Sequence, residues 1–142
     1  MAALLAADRR GPEHPRRPEP DPFDYHDAVR AGDIDAIMDL FSPSEYAYAG
    51  VRDYFPADGN TFPLLDTREK MRDYYRRFYD AATVTDVALT NWYVGEWFLF
   101  AEARWRLDLE GGGRVAMMTV EILPLGSDGK LVGRSGYGTS FE

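Results

Sequence analysis

Apolar positions recur along this chain with two periods, and the change from one to the other divides it. Ile34, Ile37, Met38 and Phe41 fall at i, i+3, i+4 and i+7, one stripe of a helix that Asp33 caps and Ser42-Pro43-Ser44 ends. Phe23 to Ala31 predicts a helix before it, closed by Gly32 at the left-handed position after the last turn. Asp66-Thr67-Arg68-Glu69 reads as a capping box with Asp66 as the cap. It opens a third helix to about Ala82, with Met71, Tyr74, Tyr75, Phe78 and Ala82 on its apolar face. Beyond that point the period is two. Thr83 to Thr90, Glu96 to Leu109, the strand through Arg114 to Glu121 and Lys130 to Thr139 predict a meander. Its turns are Glu110-Gly111-Gly112-Gly113 and Gly126-Ser127-Asp128-Gly129. Glu45 to Gly50 adds a short strand, and residues 51–65 form a long irregular stretch of the kind used as a lid, a binding loop or a surface insertion. Helices followed by an antiparallel meander predict an α+β cone or half-barrel.

One strand carries the candidate chemistry. Val115, Met117, Thr119, Glu121 and Leu123 share one face, and Ala116, Met118, Val120 and Ile122 the other. Both faces are apolar, which predicts cover on both sides. A carboxylate there must be paired, hydrogen-bonded or kept neutral, because an unpaired buried charge is too costly. Two readings of Glu121 stand: an ion pair with an arginine or a solvated strand end, and a carboxylic acid facing a ligand cavity.

Composition narrows the function classes. A chain of 142 residues, 45% hydrophobic and 14% aromatic, supports one domain with a substantial core. A net charge of −8 excludes nucleic acid and an anionic membrane as the expected partners. Cysteine is absent, and His14 and His26 are the only histidines, so neither disulfides nor a thiolate or histidine metal site is expected. Residues 11–22 contain five prolines, which makes 1–21 a disordered or draped tail and 22–142 the folded domain. The apolar MAALLAA precedes its charges rather than following them, so it is not read as a signal peptide, and a cytoplasmic location is expected.

The order of these elements and several local words resemble the NTF2-like superfamily, in its SnoaL-like and ketosteroid-isomerase-like branch. The words are Tyr25 seven residues before Gly32-Asp33, the helix ending Leu40-Phe41, Arg68-Glu69 opening a helix with Tyr74-Tyr75, and Glu121-Ile122-Leu123-Pro124-Leu125-Gly126-Ser127-Asp128-Gly129-Lys130-Leu131 closing with Gly136-Tyr137-Gly138. The resemblance implies a cystatin-like cone, three N-terminal helices on a strongly curved, mainly antiparallel sheet enclosing a pocket. It further implies Tyr25 and Glu121 as oxyanion-hole donors, the acid kept neutral by its apolar site as in ketosteroid isomerase. Tyr75 falls on a tyrosine that supports the same network. The general base of that isomerase is an aspartate where Ala49 stands here, which leaves Asp53 in the lengthened loop as the candidate base. The last strand has no carboxylate of the kind used by SnoaL-type cyclases and limonene-epoxide-hydrolase-like enzymes.

Arg106-Leu107-Asp108 has the form of the epoxide hydrolases' Arg-x-Asp pair, with Arg104 on the same face. Counting across the glycine turn from Glu121 favours an outward face for all three and an inward one for Ala103, Trp105 and Leu107. His26, about 100° round the helix from Tyr25, is read as a partly exposed helix residue. Tyr48, Trp105, Tyr137, Met117, Thr119 and Tyr75 are the candidate substrate-binding residues. The expected function is a small-molecule enzyme acting on an apolar, polyketide- or terpenoid-like metabolite by acid–base or oxyanion chemistry, without cofactor or metal. Isomerisation, cyclisation and dehydration are open. A non-catalytic ligand-binding or assembly subunit is the rival, and epoxide opening a further alternative. A homodimer through the outer face of the sheet is expected from the resemblance.

Overall fold

A computed structural model describes residues 21–43, 65 and 67–141. The expected strand at Glu45 to Gly50, most of the 51–65 stretch, and nearly all of the tail lie outside the described residues.

Among the described residues three helices precede the strands: α1 (Asp24–Ala31), α2 (Ile34–Leu40) and α3 (Arg68–Ala81). Gly32 ends α1 with φ of 68°, a conformation that costs a residue without Cβ nothing. Asp33 accepts from the Ala36 amide at 3.0 Å and so starts α2 within a residue of the end of α1. At α3 the cap is Thr67, whose Oγ1 accepts from the Lys70 amide at 3.1 Å, rather than Asp66. The threonine sits one residue closer to the first turn, so the capped donor is the amide three residues on from it, that of Lys70.

The strands β1 (Ala82–Val94), β2 (Phe98–Leu109), β3 (Arg114–Pro124) and β4 (Ser135–Phe141) form one antiparallel sheet in the order β1-β2-β3-β4. The register of β1 slips between Val84 and Asp86 and again between Leu89 and Asn91. Such bulges bend a strand and increase its twist, and here they help curl the sheet into an unclosed cone. Ile37, Met38, Phe41 and Met71 from the helices meet Leu99, Ala103, Trp105, Leu107 and Leu123 from its inner face in one core.

Two expectations about the C-terminal half are corrected. The last strand begins at Ser135, because Leu131 is diverted to the end of α2. Its amide donates to the Leu40 carbonyl at 2.9 Å, and its carbonyl accepts from the Ser42 amide at 2.8 Å. The β3 strand is covered on one face only. Glu121 and Leu123 are buried beneath the helices, while Val120 and Ile122 on the outer face are 40% and 41% exposed. No helix among the described residues is long and apolar enough to cross a membrane.

Candidate active site

The strand register determines where a helix side chain can reach the sheet. Glu121 lies in a cross-strand row, Trp92–Ala101–Glu121–Gly136. The next row is Leu89–Ala103–Thr119–Gly138. Alanine and glycine on both sides leave the Glu121 carboxylate without bulky neighbours on its own face. At Gly136 the space is taken by backbone: an added Cβ would stand 2.5 Å from the Val120 carbonyl oxygen and 3.0 Å from Glu121 Cγ.

Helix α1 supplies the partners. It packs against both α2 and β1, so its buried surface is wide enough to include the consecutive residues Tyr25 and His26 as well as Val29. His26 Nε2 lies 3.0 Å from Glu121 Oε2, with His26 2% and Glu121 6% exposed. His26 therefore faces the sheet, against the expectation that it points elsewhere. A helix gripped from two sides buries a broader arc than a single apolar stripe.

Glu121 is paired, with His26 rather than an arginine, and its carboxyl is shifted toward the carboxylate form rather than toward the neutral acid that the resemblance implied. Burial pushes its carboxyl up, but the hydrogen bond and charge of His26, with Arg134 nearby, outweigh this and hold it below the ordinary 4.5. An ionised carboxylate only accepts, so the proton in the pair resides on His26 Nε2. His26 Nδ1 is then the nitrogen that carries a lone pair in the neutral ring, and it is buried with no partner among the described residues. The ring is held between Tyr25 and Trp105, at 5.1 Å and 5.5 Å between centroids.

A second polar group adjoins this one. The hydroxyls of Tyr25 and Tyr75 stand 2.5 Å apart, and Arg134 Nη1 donates to the Tyr25 oxygen at 3.2 Å. All three residues are buried, and the guanidinium carbon of Arg134 lies 5.5 Å from the centre of the Tyr74 ring. Burial works against the Arg134 charge, but Tyr25, Tyr75, Tyr74 and Glu121 outweigh it and hold the group charged. Burial pushes the Tyr25 phenol well above 10.0, against the pull of Arg134. It pushes Tyr75 up to about 12, where Arg134 and the hydrogen bond shared with Tyr25 pull the other way.

The structure thus brings together Glu121, Tyr25 and Tyr75 of the sequence-derived candidates, and adds His26 and Arg134. Trp105 and Thr119 lie on the same inner face, tied by an indole N–H that donates to Thr119 Oγ1 at 2.7 Å. Met117 continues that face and is half-buried. Tyr137 does not join them. It pairs with Val120 on the outer face and is 85% exposed. Arg104, Arg106 and Asp108 also face outward, as the count across the glycine turn gave, which removes the epoxide-hydrolase-like pair from the inner face. Asp53, Tyr48 and Ala49 lie outside the described residues. A cavity of about 460 Å³ beside Arg106, Asp108 and Arg114 is at the far end of the sheet from Glu121 and shares no residue with the network.

Among the described residues no three His, Cys, Asp or Glu side chains cluster as a metal-ligand set would. Arg134 carried a legible signal, since it stands two residues before the glycine that pairs with Glu121, but that signal exists only once the register is known.

Comparison with known proteins agrees with this architecture. No curated protein sequence matches the chain. Among solved structures, the epoxide hydrolase/cyclase-like enzyme SalBIII, described in pyran ring formation in the polyether salinomycin, superposes with a TM-score of 0.59 over 81% of this chain and 84% of its own, at 18% identity. That likeness concerns the fold. The SnoaL-like domain family matches residues 24–134, which carry α1 to α3, the first three strands and every residue of the buried network. With its helices laid on a curled, unclosed antiparallel sheet, this chain belongs to the SnoaL-like domain family of the NTF2-like superfamily.

Proposed function

We propose that the protein is a small-molecule enzyme that moves a proton on an apolar, polyketide- or terpenoid-like carbonyl compound, using its own side chains as acid and base. The observation that carries this reading is the buried His26–Glu121 pair with Nδ1 unpartnered among the described residues. A carboxylate accepting from Nε2 fixes the tautomer and leaves Nδ1 as the ring nitrogen able to take a proton. His26 is accordingly the base, and Glu121 its orienting partner rather than a proton donor. The Tyr25–Tyr75 hydroxyl pair is the group suited to the oxygen on which negative charge develops. Abstraction from a carbon next to a carbonyl, followed by reprotonation, ring closure or loss of water, covers isomerisation, cyclisation and dehydration alike. Asp53 stays a candidate contributor from the long loop, and Trp105, Thr119 and Met117 are the proposed apolar wall. Epoxide opening is not favoured, because Arg104, Arg106 and Asp108 face away from the site.

The test is solvent exchange. Cyclic enones and β-diketones incubated with the protein in D₂O should gain deuterium next to the carbonyl, read by NMR. His26→Gln and Glu121→Gln should lower the rate about 10²-fold or more, the usual contribution of a positioned base. Full activity in His26→Gln overturns the assignment.

A ligand-binding or assembly module is the second reading, favoured by one observation. Every polar group of the network is deeply buried and the hydroxyls, the guanidinium and the His–Glu pair largely satisfy one another, as in a structural polar core. Ligand binding without exchange supports that reading.

A further inference from the structure

A group of polar side chains with no part in the buried network surrounds the cavity of about 460 Å³ at the glycine-turn end of the sheet. Arg106, Asp108, Arg114, Ala116 and Thr85 line it. Arg106 stands five residues along β2 from Ala101, the register partner of Glu121, so it is about 17 Å away and on the opposite face. The cavity exists because of what its neighbours lack. Across from Arg106 on β3 is Ala116, which puts no bulky side chain beside the guanidinium. On the other side the register of β1 slips between Val84 and Asp86, and the extra residue, Thr85, lines the cavity where Asp86 does not. Thr85 Oγ1 donates to the Arg106 carbonyl at 3.1 Å, which uses its one hydrogen and leaves its lone pairs able to accept.

The charges around the cavity are unequally committed. Asp108 and Arg114 are register partners across the hairpin and pair at 3.5 Å. Arg106 makes no ion pair among the described residues, although Asp86 is its register partner on β1, and only its backbone carbonyl is hydrogen-bonded to a side chain there. One cation is therefore in excess at this spot, on a chain whose net charge is −8. The planar fork of a guanidinium matches the two oxygens of a carboxylate. The volume is more than an inorganic anion fills and falls within the range of about 300–1,000 Å³ that organic ligands occupy.

We infer that this end of the outer face is a binding site for an organic monocarboxylate, held by its carboxylate on Arg106, by a hydroxyl donating to Thr85 Oγ1, and by its body over Ala116. A phosphate dianion would bring a second negative charge toward Asp108 with no further free cation to meet it, so the carboxylate is the anion that fits. The site binds and makes or breaks no bond. It lies beside the exposed apolar patch of the sheet: Ala116 is four residues, about 13 Å, along β3 from Val120.

The test is a titration of the full chain with 4-hydroxybenzoate, followed by ¹H–¹⁵N NMR at the Arg106 Nε–H and the Thr85 and Ala116 amides. These signals should move together and saturate at millimolar probe, while the His26 side-chain signals stay in place. 4-Hydroxybenzamide, which has the same shape without the charge, and inorganic phosphate should each bind about tenfold more weakly or worse. Arg106→Gln should weaken 4-hydroxybenzoate about tenfold. Asp108→Asn, which removes the negative charge from the cavity, should strengthen it about two- to fivefold. Ala116→Leu should abolish binding by filling the space. Arg104→Gln, exposed on the same face but outside the cavity, should leave the affinity unchanged. No saturable shift, phosphate binding as tight as that of the carboxylate, or equal losses in Arg104→Gln and Arg106→Gln overturns the site. If Ala116→Leu does not fold, the comparison of the two exposed arginines decides. The titration needs no turnover and shares no residue with the buried network, so its outcome is independent of the catalytic reading.

Discussion

His26 Nε2 and Glu121 Oε2 meet at 3.0 Å although 95 residues separate them, and the pair fastens the first helix to the third strand of the sheet inside the core. Glu121→Ala leaves the buried His26 N–H without its acceptor and should lower stability by about 1–3 kcal/mol. Glu121→Gln, which retains an accepting oxygen, should lose less. Urea unfolding at neutral pH measures both, and equal stability of Glu121→Ala and the parent would remove the pair from the account of the fold.

The same pair sets an acid limit. Glu121 titrates below its ordinary 4.5 in the folded protein, so below that pH the unfolded chain binds more protons. Its contribution is complete above pH 4.5 and is lost as the pH falls toward the folded value. At the alkaline end the sign reverses. Tyr75 is pushed from 10.0 up to about 12, so the stability it contributes is complete below pH 10 and is lost as the pH rises through 12. Melting temperatures across this range should fall at both ends, and Glu121→Gln should flatten only the acid side.

Gly136→Ala should be as damaging as a change in the network itself. The new Cβ would meet the Val120 carbonyl at 2.5 Å, which only a shift of β4 against β3 can relieve. Overpacking of this kind costs about 1–3 kcal/mol. The shift would move Glu121 relative to His26, so the His26 side-chain ¹⁵N resonances should change in the variant. Gly111→Ala makes a useful contrast: its added Cβ meets nothing within 4 Å, and the only cost is its φ of 87°. It should leave those resonances in place.

The outer face of the sheet gives a fourth prediction. Val120, Ile122 and Tyr137 are exposed side by side on β3 and β4. In the expected homodimer a second copy covers them. Sedimentation should then give twice the 16.1 kDa chain mass, and a Tyr137→Lys, Ile122→Lys variant should sediment as one chain while keeping its fold. A monomeric parent protein would contradict the dimer.

What the sequence disclosed, and what it withheld, follows from how local each determinant is. Gly32 and Asp33 act within a turn, and the two-residue period of β2 and β3 is carried by each strand alone. The end of α1, the start of α2 and the inward Ala103, Trp105 and Leu107 were therefore legible. The ionisation of Glu121 was not, because its strand neighbours are apolar while the groups that determine its charge come from α1 and the segment before β4. His26 was misplaced because it was judged by its angle of about 100° from Tyr25, whereas α1 is packed on two sides and buries both residues. Arg134 escaped notice because the last strand was searched for a carboxylate. Tyr137 looked like a pocket aromatic by residue type, but its parity places it with Val120.

The buried network also constrains the order in which this protein is made. Its contacts join residues 50, 95 and 109 positions apart, and none is local. Closing such long loops is slow, and each closure has to precede the contact that rewards it. Arg134 follows Glu121 in the chain and leaves the ribosome after it, so a nascent chain can complete the helices α1 to α3 and the first hairpin while the buried network is still unformed. Proteolytic fragments and truncations that stop short of Gly133 should likewise lack the network even where they stay helical. The network exists only once the chain has been made through Arg134.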